Sequence, residues 1–135
     1  MGLKASLSKP FAAWVVKGIN RWKKNAVKAQ DETLQMLLKS AAHTVFGKDH
    51  QFSSIKTYQD FKANVPVRDY EDLRPYIDRV VAGESDILWK GKPQYFAKTS
   101  GTTSGVKYIP ISKESMPEHI KAARNALLTY IHETG

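Results

Sequence analysis

Cysteine is absent from all 135 residues of this chain, which excludes disulfide bonds and thiolate metal sites. That absence fits the reducing cytoplasm, where we expect the protein to act. Long apolar runs are absent as well: none approaches the roughly 18 residues of a membrane-spanning helix, and the run at residues 11–16 is too short for a signal peptide. Acidic residues are missing from residues 1–30, which hold seven lysine and arginine residues and so carry most of the net charge of +8.

Apolar residues at helical spacing extend over most of the chain. Pro10 suits the first turn of a helix that we expect to end near Lys28. Gly47 is expected to stop a second helix, and Thr57 is expected to cap a short third one. Pro75 falls inside the body of a further helix, which must therefore start late or kink. The predicted helices cover residues 10–28, 31–46, 57–62, 69–83 and 116–132.

The basic N-terminal segment, residues 1–28, is predicted to contain this amphipathic helix and to precede a domain made by residues 29–135. Its basic stripe contains Lys17, Arg21, Lys24 and Lys28. One interpretation is a helix docked by its apolar side with a solvated exterior; the other is a helix that binds a polyanion or a membrane surface. We expect no specific nucleic-acid recognition, because no base-stacking aromatic residues are interleaved with the basic ones.

Three carboxylates lie close together at Asp69, Glu71 and Asp72. They could act as an acid/base pair. Their place at the start of a predicted helix favours a structural role instead, in which they complement the helix N-terminus and form ion pairs with Arg68 or Arg74. His43 and His50 have no third ligand at metal spacing, so we interpret both as structural or surface residues and expect no metal site in the protein itself.

The stretch from Gln94 to Ser112 is predicted to be a β-hairpin, and a further short strand is expected at residues 87–89. Aromatic and β-branched residues flank seven small residues, of which five carry hydroxyls and two are glycines. Such a segment offers backbone N–H and hydroxyl donors, and Lys98 and Lys107 add positive charge on either side, a combination that suits a polyphosphate. An ordinary polar turn is the alternative. The stretch contains neither the GxxxxGK[ST] loop nor the GxGxxG fingerprint.

Two motifs in this order resemble a known family. The loop sequence, Thr99-Ser100-Gly101-Thr102-Thr103 followed by Lys107, is similar to the phosphate loop T-S-G-T-T-G-x-P-K-G of adenylate-forming enzymes. It departs from that pattern at Ser104, Gly105 and Val106. Together with residues 65–77, which read VPVRDYEDLRPYI, it resembles the Gretchen Hagen, or auxin-responsive promoter, family of acyl acid amido synthetases.

The resemblance implies an α+β fold, namely the helix-rich N-terminal portion of an adenylate-forming large domain with a β-hairpin that carries the phosphate loop. It implies a ligase that uses ATP and Mg²⁺ to join a carboxylic acid to an amino acid. This chain would supply only the phosphate loop, would depend on the remaining C-terminal part of the enzyme, and would be inactive alone, with catalytic residues beyond it. A non-catalytic nucleotide-binding module is the alternative.

The resemblance also assigns site residues. The ATP phosphates would be bound by Lys98, Thr99, Ser100, Gly101, Thr102, Thr103, Ser104, Gly105 and Lys107. In the family, the helix after this loop borders the acyl-acid pocket, so Arg124 is carried over as a candidate contact to the carboxylate of the acid.

Overall fold

The structure, a computed structural model, describes residues 3–99 and 105–134. Within them the chain forms α1 (Leu3–Lys24), α2 (Ala26–Ala41), α3 (Val45–Asp49), a 3₁₀ turn (Phe52–Ser54), α4 (Tyr58–Asn64), α5 (Tyr70–Val81), β1 (Tyr95–Thr99), β2 (Lys107–Ile111) and α6 (Ser115–Thr134). The helix-rich α+β architecture with one small antiparallel sheet is thereby confirmed. The chain divides into two compact units: one contains α1, the beginning of α2, and α6, and the other is Asp31–Lys113.

The first unit has its core between α1 and α6. Ala12, Val15 and Leu128 are buried together, and Ile19 and Ile131 pack against them. Apolar residues three and four positions apart lie on one side of a helix, so this spacing turns one face of each helix toward the other. Phe11 and Trp22 of the same helix are exposed, so they lie outside this packed face.

The predicted limits of the first helix are wrong at both ends. α1 begins at Leu3, so Pro10 lies inside the helix rather than in its first turn. It ends at Lys24, and a break at Asn25 separates it from α2, where we expected one helix to Lys28. The side-chain amide of Asn25 donates to the carbonyl of Arg21 at 3.2 Å. Such a side-chain bond competes with the helical ladder, which explains why this residue marks the break.

In the second unit, a tight corner replaces the single helix that we predicted for residues 31–46. α2 ends at Ala41 and α3 follows from Val45, with Gly47 inside it rather than after its end. Thr44, which is buried, donates its hydroxyl to the Ala41 carbonyl at 2.7 Å and accepts from the Gly47 N–H at 3.0 Å. A Cβ on Gly47 would overlap the Ala41 carbonyl oxygen and lie 2.9 Å from its carbon. Gly47 is therefore required for close approach, and not for ending a helix.

Residues 84–92 form an irregular segment, so the strand predicted at residues 87–89 is wrong. The carbonyls of Asp86 and Ile87 accept from the N–H groups of Val45 and Phe46 at 2.8 and 3.0 Å. Those N–H groups belong to the first turn of α3 and have no partner within the helix. This segment therefore supplies their hydrogen-bond acceptors. The side chain of Ile87, in the same segment, is buried at 2% exposure. Asp86 adopts a left-handed conformation with φ of 58° at the turn.

The caps of α4 and α5 are confirmed. Thr57 and Asp60 form a reciprocal capping box at the start of α4, and Asp69 and Asp72 form one at the start of α5. Pro75 lies within α5, which continues to Val81. The carboxylate cluster therefore has the structural role that we favoured.

Candidate functional site

The two strands flanking the predicted phosphate loop pair in an antiparallel hairpin. Thr99 lies opposite Lys107 at the end next to the loop, and Tyr95 lies opposite Ile111 at the open end. The strands are thus where the sequence placed them, although Val106 precedes β2. The predicted loop residues Ser100, Gly101, Thr102, Thr103 and Ser104 lie outside the described residues. Gly105, which follows them, has a φ of 80°, a conformation that glycine adopts without the steric cost of a Cβ.

The two lysines that flank the loop are not equivalent. Lys98 pairs with Tyr108, one residue out of step with the pair of Thr99 and Lys107. Because successive side chains of a strand point to opposite faces, Lys98 and Lys107 leave opposite faces of the hairpin. Lys98 is exposed, whereas Lys107 is half-buried. A ligand held against one face of the hairpin would therefore meet one lysine more directly than the other.

A tyrosine of α5 binds the outer edge of β2. The hydroxyl of Tyr70 accepts from the N–H of Tyr108 at 2.8 Å and donates to its carbonyl at 3.4 Å. These backbone groups of Tyr108 point away from β1. Pro110, two residues later, faces the same way, and as a proline it has no N–H that would be left unpaired at this edge. Tyr70 lies in the 65–77 motif on which the family resemblance depends, but its residue type alone did not indicate this role.

The ring of the same tyrosine lies beneath the side chain of Lys107. The ammonium nitrogen of Lys107 is 5.1 Å from the ring centroid, within the range of a cation–π contact. The guanidinium carbon of Arg74 is 5.9 Å from the same centroid, and Arg74 pairs with Glu71 at 3.2 Å. On the other face, Phe96 and Tyr108 meet edge to face at 6.2 Å. Tyr70 thus contacts both the backbone of β2 and the side chain of Lys107.

A second polar cluster in this unit links α3 to α5. His50 is buried, its Nδ1 donates to the Phe46 carbonyl at 2.9 Å, and its Nε2 accepts from the guanidinium of Arg68 at 3.2 Å. Tyr76 donates to the carboxylate of Asp49 at 2.8 Å. Burial, followed by the bond to Asp49, raises the pKa of Tyr76. Every polar group named here has a partner, so the cluster is structural, as we expected for His50.

Arg124, the candidate contact to the acid, is exposed on α6 and donates to the side chain of Asn125 at 3.3 Å. It belongs to the first unit, whereas the hairpin belongs to the second. Within that first unit it lines an open groove of about 800 Å³ between α1 and α6, together with Trp14, Ile19 and Trp22. The groove combines aromatic surface with a cation.

The parts of the chain that the structure describes contain no group of three or more His, Asp or Glu side chains placed to hold a metal ion. Over the same residues, no helix is both long and apolar enough to cross a membrane.

Comparison with known proteins gives consistent matches. The GH3 family N-terminal domain matches residues 15–134. The chain is 36% identical over 114 residues to indole-3-acetic acid-amido synthetase GH3.15 of Arabidopsis thaliana, which is 82% of this chain and 19% of that protein. It is 34% identical over 95 residues to jasmonoyl--L-amino acid synthetase JAR4 of Nicotiana attenuata, which is 69% of this chain and 16% of that protein.

Solved structures give the same picture. The structure of GH3.15 acyl acid amido synthetase matches with a TM-score of 0.78 and 29% identity, and the match covers 87% of this chain and 21% of that one. A second structure of that synthetase contains 2,4-DB. This chain therefore spans about a fifth of the length of the relatives that it matches.

Proposed function

Because the chain belongs to the GH3 family, we propose that it is the N-terminal part of an ATP-dependent ligase that joins a carboxylic acid to an amino acid. The names of its relatives support this proposal, since they are amido synthetases that act on indole-3-acetic acid or form jasmonoyl–amino acid conjugates. The observation that carries it is the family match over residues 15–134, which includes both the 65–77 motif and the hairpin. The cytoplasm remains the predicted location.

The proposed reaction has two steps. A carboxylate oxygen attacks the α-phosphorus of ATP, the bond to the β-phosphate breaks, and pyrophosphate leaves. The amine of the amino acid then attacks the acyl carbon, the bond to AMP breaks, and the amine loses a proton as the amide forms. Catalysis of the first step depends on holding and neutralising the phosphates while the carboxylate is in line.

We assign the phosphates to the segment Thr99–Gly105 and to Lys107. The antiparallel register supports this assignment, because both ends of the hydroxyl-rich segment lie at the same end of the hairpin. The hairpin is itself bonded to α5 through Tyr70. The hydroxyls of Ser100, Thr102 and Thr103 and the backbone N–H groups would donate to phosphate oxygens. Mg²⁺ would enter with the nucleotide and share the charge of the phosphates.

The first test is titration of ATP and Mg²⁺ into the 135-residue chain by calorimetry. We expect saturable binding, weakened about 10-fold or more by Thr103→Val, which removes one hydroxyl at nearly constant volume, because a hydrogen bond to a charged group contributes about 1.5–3 kcal/mol. Ser53→Ala is the matched control, since it removes an exposed hydroxyl from the 3₁₀ turn. Absence of ATP binding, or equal binding by the Thr103→Val chain, would refute the phosphate assignment.

The second test concerns catalysis. The chain alone is expected to show no acid-dependent exchange of pyrophosphate into ATP, because adenine, ribose and catalytic contacts would lie outside it. A chimera in which residues 15–134 replace the matching segment of Arabidopsis GH3.15 should recover exchange, and Thr103→Val should reduce it roughly 10- to 1000-fold. A folded chimera that binds ATP but exchanges nothing would favour a nucleotide-binding module over a synthetase. Exchange by the isolated chain would contradict the proposal that it is a partial enzyme.

A further inference from the structure

We propose that Tyr70 is a positioning residue for the phosphate loop: it fixes the outer edge of β2 and the direction of Lys107. This inference rests on the proposed function, because it assumes that the loop binds phosphate. It adds a residue outside the loop, 38 positions from its hydrogen-bond partner.

The hydroxyl of Tyr70 substitutes for a neighbouring strand. In an antiparallel ladder, a residue on the next strand accepts from the N–H and donates to the C=O of the residue opposite. The Tyr70 hydroxyl makes both contacts with Tyr108, at 2.8 and 3.4 Å. The described sheet has only two strands, and an isolated hairpin is marginally stable in water. The edge of β2 therefore gains an anchor that the hairpin cannot supply from within itself.

The anchor is attached to a well-defined element. Tyr70 is the first residue of α5, and the capping box of Asp69 and Asp72 fixes that helix terminus. On the buried side of the same helix, Ile77 and Val80 are 5% and 6% exposed. A hydroxyl on such an element has little freedom to move. Its position is thus transmitted to Tyr108, the second residue of β2, and so to the end of the strand where the loop begins.

The ring of Tyr70 has a separate role. It supports the ammonium group of Lys107 at 5.1 Å, so the lysine beside the loop is held by a cation–π contact while its charge stays available. Lys107 is directly opposite Thr99, the first residue of the loop. The hydroxyl therefore fixes the backbone and the ring fixes the cation, and two substitutions separate these effects. Tyr70→Phe removes only the hydroxyl, and Tyr70→Leu removes the ring as well.

The same helix offers a matched control. The hydroxyl of Tyr76 also makes a hydrogen bond of 2.8 Å, but as the donor, and to Asp49 of α3 instead of the hairpin. Tyr76→Phe therefore makes the same chemical change in the same helix and removes a bond of similar length. A general loss of stability should follow from both substitutions, whereas a loss of loop geometry should follow only from the change at residue 70.

The experiment combines two readouts on the 135-residue chain: the exchange rate of the Tyr108 amide by NMR, and the affinity for ATP with Mg²⁺ by calorimetry. For Tyr70→Phe we expect Tyr108 exchange to be at least about 10-fold faster and ATP binding about 5- to 10-fold weaker, since a neutral hydrogen bond is lost. Tyr70→Leu should weaken ATP binding further. Tyr76→Phe should change either readout by less than about 2-fold while lowering the melting temperature similarly.

The outcomes separate the two proposals. If the unchanged chain binds ATP and Tyr70→Phe binds it equally well, the inference about Tyr70 is overturned and the proposed function stands. Equal weakening by Tyr70→Phe and Tyr76→Phe would also overturn it, because general destabilisation would then explain the effect. If the unchanged chain binds no ATP, the proposed function fails first and the inference fails with it.

Discussion

The same substitution, glycine to alanine, should have opposite effects at two helical positions of this chain. At Gly47, in α3, an added Cβ would overlap the carbonyl oxygen of Ala41. That atom is backbone, so no side-chain rotation can relieve the overlap. At Gly18, in α1, no described atom beyond the adjoining residues and backbone of the helix itself lies within 4 Å of the added Cβ. Neither glycine has a positive φ, so the difference between the two sites is one of space alone.

The magnitudes follow from these contacts. Overpacking a tight site costs about 1–3 kcal/mol and sometimes more, and the rigid partner of Gly47 places it at the upper end. Separation of α2 from α3 would also break the Thr44 cap, which adds about 1 kcal/mol. We therefore expect Gly47→Ala to lower the free energy of unfolding of its unit by about 3 kcal/mol or more. Gly18→Ala should raise that of the other unit by roughly 0.5–1 kcal/mol, because alanine loses less backbone entropy in a helix.

Urea unfolding followed by NMR measures these changes separately in the two units. Amide signals of Ala12 and Leu128 report on the first unit, and those of Ile77 and Val80 on the second. With a slope of about 1–3 kcal/mol per molar urea, the midpoint of the second unit should fall by roughly 1–3 M in Gly47→Ala. The reasoning is refuted if that midpoint moves by less than the equivalent of about 0.5 kcal/mol, or if Gly18→Ala is the more destabilising change.

Three further changes test other contacts. Thr44→Val should cost about 1–3 kcal/mol in urea unfolding, because it leaves the buried N–H of Gly47 without its acceptor. Burial raises the pKa of Tyr76, so stability should be complete below pH 10 and fall as the pH rises further; Tyr76→Phe should abolish that fall in a pH series of melting curves. The backbone N–H groups of Lys56 and Thr57 lower the pKa of Asp60 below 3.8, so the contribution of Asp60 to stability should be lost as the pH falls below that value. Asp60→Asn should reduce this loss of stability in acid, measured in the same pH series of melting curves.

Features encoded within a few residues could be predicted from the sequence. The caps at Thr57 and Asp69, the end of α5 before Gly83 and the two strands around the loop all depend on neighbours three or four positions away, or on local β propensity. The family could be predicted too, because two motifs in the correct order form an extended pattern. For the candidate site, the loop and its lysines remain a prediction from the sequence, and only the register of the hairpin shows which face each lysine occupies.

The family, the helix caps and the two strands around the loop could therefore be read from residues close together in the chain. Features whose partners are distant in the chain became evident only in the folded structure. The N–H of Val45 donates to the carbonyl of Asp86, and the N–H of Tyr108 donates to the hydroxyl of Tyr70. Gly47 is needed because the Ala41 carbonyl passes close to it, which only the folded corner reveals. A buried backbone N–H or C=O needs a hydrogen-bond partner, but the residue type does not indicate which distant residue provides it. The space available for a side chain likewise depends on which distant atoms pack against it.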